Sequence, residues 1–253
     1  MESKLFTTLK LTTEPVAVYF TDTLPEDANK LFDGKKVCVA TCLVSATTKG
    51  RGFYFDRNTY VGCPGGSMGL GFDNTYGNFP IECLLSTGDE GLAESGKVSP
   101  FPMGIGERFF TSPEVALRWR KACLDVDEIP SKYVILRPFS KVTKENPPNL
   151  VAIFANPDQL SALITMAGFY RGDMVSVKTP FGAACQAIAH ANSESKKEKP
   201  DAVLGFFDIS QRHALPKELL SFTISYAMYE EMEKSVDRSL LTTEAWEKLD
   251  KRL

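Results

Sequence analysis

The sequence predicts an α/β fold, with α+β as the alternative class, on three observations. Short apolar, β-branched runs recur along the chain, segments with helix-start signals fall between them, and the two kinds alternate. Leu5 to Leu11 reads as a helix, and Pro15 to Thr21 (PVAVYFT) as a buried strand. Phe53 to Phe55 and Thr59 to Val61 read as two extended segments leading into a glycine-rich loop. At Ser112-Pro113-Glu114 a serine is placed to cap free amides and a proline to take the first helical position, so a helix is predicted from there to about Cys123. Val134 to Pro138 and Leu150 to Ala155 are further strands. Asn156-Pro157-Asp158 repeats the cap-then-proline pattern ahead of a helix over 159–167. Met174 to Lys178 alternates as a strand, the small residues of 183–191 favour a helix, and Ala202 to Phe207 is a strand. Helices are predicted from Pro216 to Lys234 and from Thr243 to Arg252. The first carries Leu219, Leu220, Ile224, Ala227 and Met228 as an apolar stripe, which packs on the core or joins two copies in a homo-oligomer.

Composition narrows the classes. The 253 residues are 43% hydrophobic and 24% charged, with a net charge of -3 and no basic stripe. That excludes disordered and collagen-like chains and argues against nucleic-acid binding, which needs clustered positive charge. No apolar run reaches the roughly 18–20 residues that span a bilayer, and Met1 to Lys10 lacks an apolar core, so no membrane partner and a cytoplasmic location are expected. In that reducing setting the six cysteines are expected to be free thiols. With only His190 and His213 present, any metal would be bound mainly by thiolate, which favours zinc, copper(I) or iron–sulfur.

The chain reads as one domain, 1–253, of two related lobes with a mixed sheet covered by helices. Val16-Ala17-Val18-Tyr19-Phe20 is similar to Val151-Ala152-Ile153-Phe154, and the stretch around Cys42 is similar to that around Cys185. An internal duplication over 14–80 and 149–214 is the expectation, with a helical extension over 215–253, and it would bring Cys42 and Cys185 to equivalent positions.

Four cysteines are candidate metal ligands: Cys38, Cys42, Cys63 and Cys185. Cys38 and Cys42 are four apart and share a face on a helix or a strand. Cys63 sits among Gly62, Gly65, Gly66, Gly69, Gly71 and Gly77, whose backbone can approach a ligand closely; Gly62, Gly65 and Gly66 are the candidate cofactor-binding positions. Cys185 is near a predicted helix start, where free amides favour thiolate. Cys83 and Cys123 read as core thiols. The glycine loop lacks the lysine of a phosphate-binding loop, and Asn74 interrupts the dinucleotide-binding spacing.

Cys42 to Phe55 (CLVSATTKGRGFYF), Gly62-Cys63-Pro64-Gly65-Gly66 and Leu70-Gly71-Phe72 resemble the signature of the domain of unknown function 169 family. Glu107-Arg108, Gly182-Ala183-Ala184-Cys185 and Leu204-Gly205 extend the resemblance over about Glu14 to Leu219. It implies proteins common in anaerobic bacteria and archaea, with recurring cysteines at Cys42, Cys63 and Cys185. Some members carry another cysteine where this chain has Phe206. Three functions follow as expectations. The first is an iron–sulfur redox or sensing protein, with a redox partner and its site between the lobes. The second is a metal-free module binding a small anionic ligand. The third is a thiol enzyme using Cys63 or Cys185, with Arg108 or Arg212 holding an anion.

Overall fold

Strand β1 (Val16–Thr21) shows how the chain builds its layers. Val16 and Val18 point into one apolar cluster, and Ala17 and Tyr19 point into a second on the opposite face, the two-residue period of a strand buried on both sides. The computed structural model describes residues 2–73, 76, 78–94, 104–123 and 126–253. Gly77, counted in the glycine-rich loop, and Asn74, which interrupts the dinucleotide spacing, lie outside them. The chain forms two compact units, one of residues up to Phe72 with Asp127–Leu253, the other Asp73–Val126.

The first unit begins with α1 (Lys4–Thr8), β1, β2 (Phe32–Asp33), α2 (Val39–Lys49), β3 (Phe53–Asp56) and α3 (Pro64–Gly69). The second unit contains α4 (Ile81–Leu84), α5 (Glu90–Glu94) and α6 (Pro113–Cys123). In it Trp119 packs against Tyr76 and Phe110, and Arg120 pairs with Glu82 at 2.9 Å. The first unit resumes with β4 (Tyr133–Pro138), β5 (Leu150–Ala155), α7 (Pro157–Ala167), β6 (Val177–Lys178), α8 (Gln186–Ser195), β7 (Ala202–Gly205), α9 (Ile209–Arg212), β8 (Leu220–Ser225), α10 (Tyr226–Ser235) and α11 (Glu244–Asp250). The α/β class and helical C-terminus are as the sequence predicts. Helix α7 has the predicted start: Asn156 and Gln159 exchange side-chain and backbone hydrogen bonds at 2.9 Å, and Pro157 takes the first position.

The eight strands among the described residues join one mixed sheet in the order β2-β3-β4-β1-β5-β8-β7-β6. Helices α2 and α8 supply the cluster on one face, and α1, α7, α10 and α11 supply the other. The sheet repeats a single connectivity. In the first half β2 is parallel to β3, β3 antiparallel to β4, and β4 antiparallel to β1. In the second β6 is parallel to β7, β7 antiparallel to β8, and β8 antiparallel to β5. Strands β1 and β5 meet antiparallel at the centre, with Val16 opposite Ala152 and Ala17 opposite Val151, the arrangement a local twofold produces. The halves expected to form lobes therefore lie side by side in one sheet. Their correspondence pairs Cys38, which precedes α2, with Cys185, which precedes α8. The expected equivalence of Cys42 with Cys185 is displaced by one helical turn.

Three predicted elements differ. Thr59 to Val61 is not a strand: Asn58, Thr59 and Tyr60 donate their amides back to Asp56, closing a turn. Only Val177–Lys178 of the strand predicted from Met174 is formed, as an edge strand with Met174 fully exposed. The predicted helix from Pro216 begins instead with β8, which pairs with β5 and β7, and Ser225 then caps α10 by accepting from the Met228 amide at 3.1 Å. The extension over 215–253 thus starts as a sheet strand.

Candidate functional site

Three cysteines open three different helices of the sheet unit. Cys38 is the cap of α2, Cys63 of α3 and Cys185 of α8. Asp208 stands in the same place at α9. The connectivity explains the gathering, because α2 and α8 arise at corresponding points of the two halves, and the turns after β3 and β7 bring Cys63 and Asp208 beside them.

Hydrogen bonds link these four positions. The Cys185 thiol donates to the Gly65 carbonyl at 3.2 Å, while Cys63 Sγ accepts the Gly66 amide at 3.2 Å. The Cys38 thiol reaches Gln211 Oε1 at 3.6 Å, and Asp208 Oδ2 accepts the Ala184 amide at 3.4 Å. Residues of α3 and α9 therefore bridge the two halves at the sulfurs.

Tyr60 lies among the same sulfurs. Its hydroxyl is buried with no hydrogen-bond partner among the described residues. Glycine makes room for it: a Cβ on Gly62 or Gly66 would fall 2.2 or 2.1 Å from that oxygen. Gly65 packs its Cα against Ala183, where a Cβ would come within 3.3 Å. The three candidate cofactor glycines thus shape the wall around Tyr60 and Cys185.

Electrostatics report the same convergence. Burial, and then the nearby Cys63, Cys185, Cys38 and Cys42 in that order, push the Tyr60 hydroxyl far up. The Cys185 thiol is held well above its ordinary value by burial first, then by Cys63, Cys38 and Asp208. Cys63 is raised by burial, partly offset by the Gly66 amide, and raised again by Cys38 and Asp208. The field at the start of α8 would favour thiolate, but burial outweighs it.

Cys42 is placed differently. It is 0% exposed, one turn along α2 from Cys38 inside the apolar cluster, and burial pushes its thiol up to about 12. Cys83 and Cys123 are buried in the second unit, as core thiols. Among the described residues, no three His, Cys, Asp or Glu side chains stand close enough together to hold a single metal ion. Nor does any cysteine there hydrogen-bond to a histidine: His213 is exposed, and His190 is half-buried with its pKa lowered by desolvation. Arg212 spends its guanidinium on the carbonyls of Leu215, Pro216 and Lys217. No helix among the described residues is long and apolar enough to cross a membrane.

One family's sequence pattern, described as "Uncharacterised ArCR", matches residues 4–235. The chain belongs to the DUF169 family. No curated protein and no solved structure matches this DUF169 chain. Its signature block Cys42 to Phe55 forms most of α2 and runs into β3, and Gly62 to Gly66 forms the turn into α3, so the family pattern spans the wall of the site. Phe206, where the resemblance puts a further cysteine in other members, is 1% exposed and packs edge-on against Phe154.

Sequence reasoning missed Tyr60, Asp208 and Gln211. Asp208 carried a signal, an aspartate immediately past the end of a predicted apolar strand. Tyr60 and Gln211 carried none, since their roles arise only when the halves meet.

Proposed function

We propose that this chain carries an iron–sulfur cluster in a redox or sensing role, ligated by Cys38, Cys63 and Cys185 where the two halves of the sheet meet. The observation that carries this reading is the convergence of three cysteines, each opening a different helix, around the unpartnered Tyr60 hydroxyl. Three thiolates gathered at one place repel one another, and a cationic centre removes that cost. The ligand set takes Cys38 in place of Cys42, because Cys42 belongs to the core.

Magnitudes favour metal over a thiol nucleophile. A nucleophilic cysteine needs a lowered pKa, whereas Cys63 and Cys185 are both raised. Each unit of upward shift costs about 1.4 kcal/mol to ionise, and thiolate–metal binding supplies on the order of 10 kcal/mol. Cluster assembly should therefore release protons and weaken as pH falls.

Purification under strict anaerobiosis, with iron and sulfide analysis and a visible spectrum, tests the reading. Bound iron and sulfide with charge-transfer absorption are expected. Cys38→Ser, Cys63→Ser and Cys185→Ser should each lose most of the iron, while Cys42→Ser should keep it. A colourless, metal-free protein, or equal iron retention in all four variants, would overturn the proposal.

A further inference from the structure

We infer that a cavity remote from the cysteines binds a small organic amine, with its ammonium group held at the rim by Glu198 and Glu231 and its aromatic or alkyl body lying on a floor of methionines.

The cavity supplies the first argument. It measures about 360 Å3 and lies between the end of α7, the first turns of α10 and the loop from α8 to β7. Pockets of roughly 300–1,000 Å3 hold small organic molecules. Met166, Met228 and Met232, three of the chain's seven methionines, form its floor. They belong to the apolar cluster on the sheet face opposite the one that holds Cys42 and Cys185. Methionine side chains adapt to irregular shapes, and their sulfurs make favourable contacts with aromatic ring edges. The floor therefore accepts an apolar body.

Arg171 builds part of the rim. Its Nε donates to Asp173 at 2.8 Å, and its Nη1 donates to the Pro200 carbonyl at 2.7 Å and to Asp201 at 3.0 Å. These bonds tie the segment after α7 to the residues just before β7, so the opening is preformed.

Charge chooses the ligand. The cations that line the cavity are answered by carboxylates that do not. Arg171 pairs with Asp173 and Asp201, and Lys197 pairs with Glu194 at 2.7 Å. Asp173 is held below its ordinary value by Arg171 first, with burial opposing, and then by the charge of Lys199. Arg238 is engaged with Tyr170, donating to its hydroxyl and lying over its ring at 5.4 Å. Two carboxylates of the lining are left over. Glu198 in the loop and Glu231 on α10 form no ion pair among the described residues. An anionic ligand would meet both of them, whereas an ammonium group gains charge-assisted hydrogen bonds from either. Both are exposed, so each adds modestly, and burial of the apolar body supplies most of the affinity.

The full chain labelled with carbon-13 at its methionine methyls reads the floor directly, with the signals of Met166, Met228 and Met232 assigned by single leucine replacements. The probe is 2-phenylethylamine. It should shift those three signals saturably, with a dissociation constant on the order of 1 mM or below. The control 3-phenylpropionate, a similar body with a carboxylate head, should bind at least about tenfold more weakly. Glu198→Gln and Glu231→Gln, exposed changes whose folding urea unfolding checks, should each weaken the amine roughly two- to fivefold. Equal or tighter binding of 3-phenylpropionate, unchanged amine affinity in both variants, or no saturable shift at the three methionines would each overturn the proposal. The iron–sulfur reading stands or falls separately, because no cysteine lines this cavity.

Discussion

Cys38 and Cys42 stand one helical turn apart, and burial alone gives them different chemistry. The spacing shows that they share a face of α2, but which of them meets Cys63 and Cys185 depends on how deeply each turn enters the core. Cys42 reaches the apolar cluster and becomes a small hydrophobe, while Cys38 stays at the helix start beside Gln211. A thiol whose folded pKa lies above its unfolded value contributes stability that is complete below the unfolded pKa, and it is lost as pH rises toward the folded one. For Cys42 that window runs from about 9 to about 12. Within it the metal-free, reduced protein should lose up to about 1.4 kcal/mol per pH unit from this group. Cys42→Ala leaves a small cavity costing on the order of 1 kcal/mol near neutrality, but it removes this part of the alkaline loss. Urea unfolding at about pH 7 and about pH 10 should therefore show a smaller drop in the variant than in the wild type. Equal drops would mean that Cys42 is not held neutral by its burial.

Helix α3 shows why some elements cannot be read from their own residues. Its sequence, Pro64 to Gly69, holds three glycines, each costing about 1 kcal/mol relative to alanine in a helix. Tertiary contact repays this cost, because a Cβ on Gly69 would lie 2.8 Å from the Cys185 backbone and from its Sγ. Gly69→Ala must push α3 away from the start of α8, since backbone atoms stand in the way. The expected loss is about 1–3 kcal/mol of stability, and, on the proposed iron–sulfur reading, a fall in bound iron. Gly50→Ala is the control: its left-handed φ of 62° strains any side chain, yet nothing lies within 4 Å, so about 1 kcal/mol should be lost with iron content unchanged. If both variants keep their iron, the α3–α8 contact does not set the site. Elsewhere the chain was legible where one period ran unbroken, as in β1, β4, β5, α6 and α7. It was misleading around β8, where Leu219, Leu220, Ile224, Ala227 and Met228 mimic a helical stripe by combining β8 and the residue before it with the start of α10. Ser221 and Thr223, 2% and 1% exposed, add to that effect, since polar residues on a buried sheet face hide its alternation.

At the scale of the molecule, the continuous sheet brings residues distant in sequence to one place, and it does so within a unit that closes on itself. The strand similarity between Val16–Phe20 and Val151–Phe154 was readable and marks the two central strands, whereas the meeting of Cys38, Cys63, Cys185 and Asp208 depends on strand order, which no local pattern encodes. The chain leaves the sheet unit after Phe72 and re-enters at Asp127, and the two ends are tied together: the Ile129 amide donates to the Gly71 carbonyl at 2.9 Å. Arg57 reinforces this closure, donating to the carbonyls of Phe72 at 2.8 Å, Gly71 at 3.2 Å and Ile129, with its guanidinium over the Phe72 ring. Because both ends are fixed by contacts inside the sheet unit, residues 73–126 should be replaceable by a flexible linker of roughly six glycine and serine residues without unfolding it. The shortened chain should unfold in one cooperative urea transition with its sheet signal intact, and Arg57→Ala in that background should cost about 2 kcal/mol as the carbonyls of Phe72, Gly71, Ile129 and Ser131 lose a charged donor. A shortened chain that is soluble but shows no cooperative transition would mean that the sheet unit depends on the inserted residues for its stability.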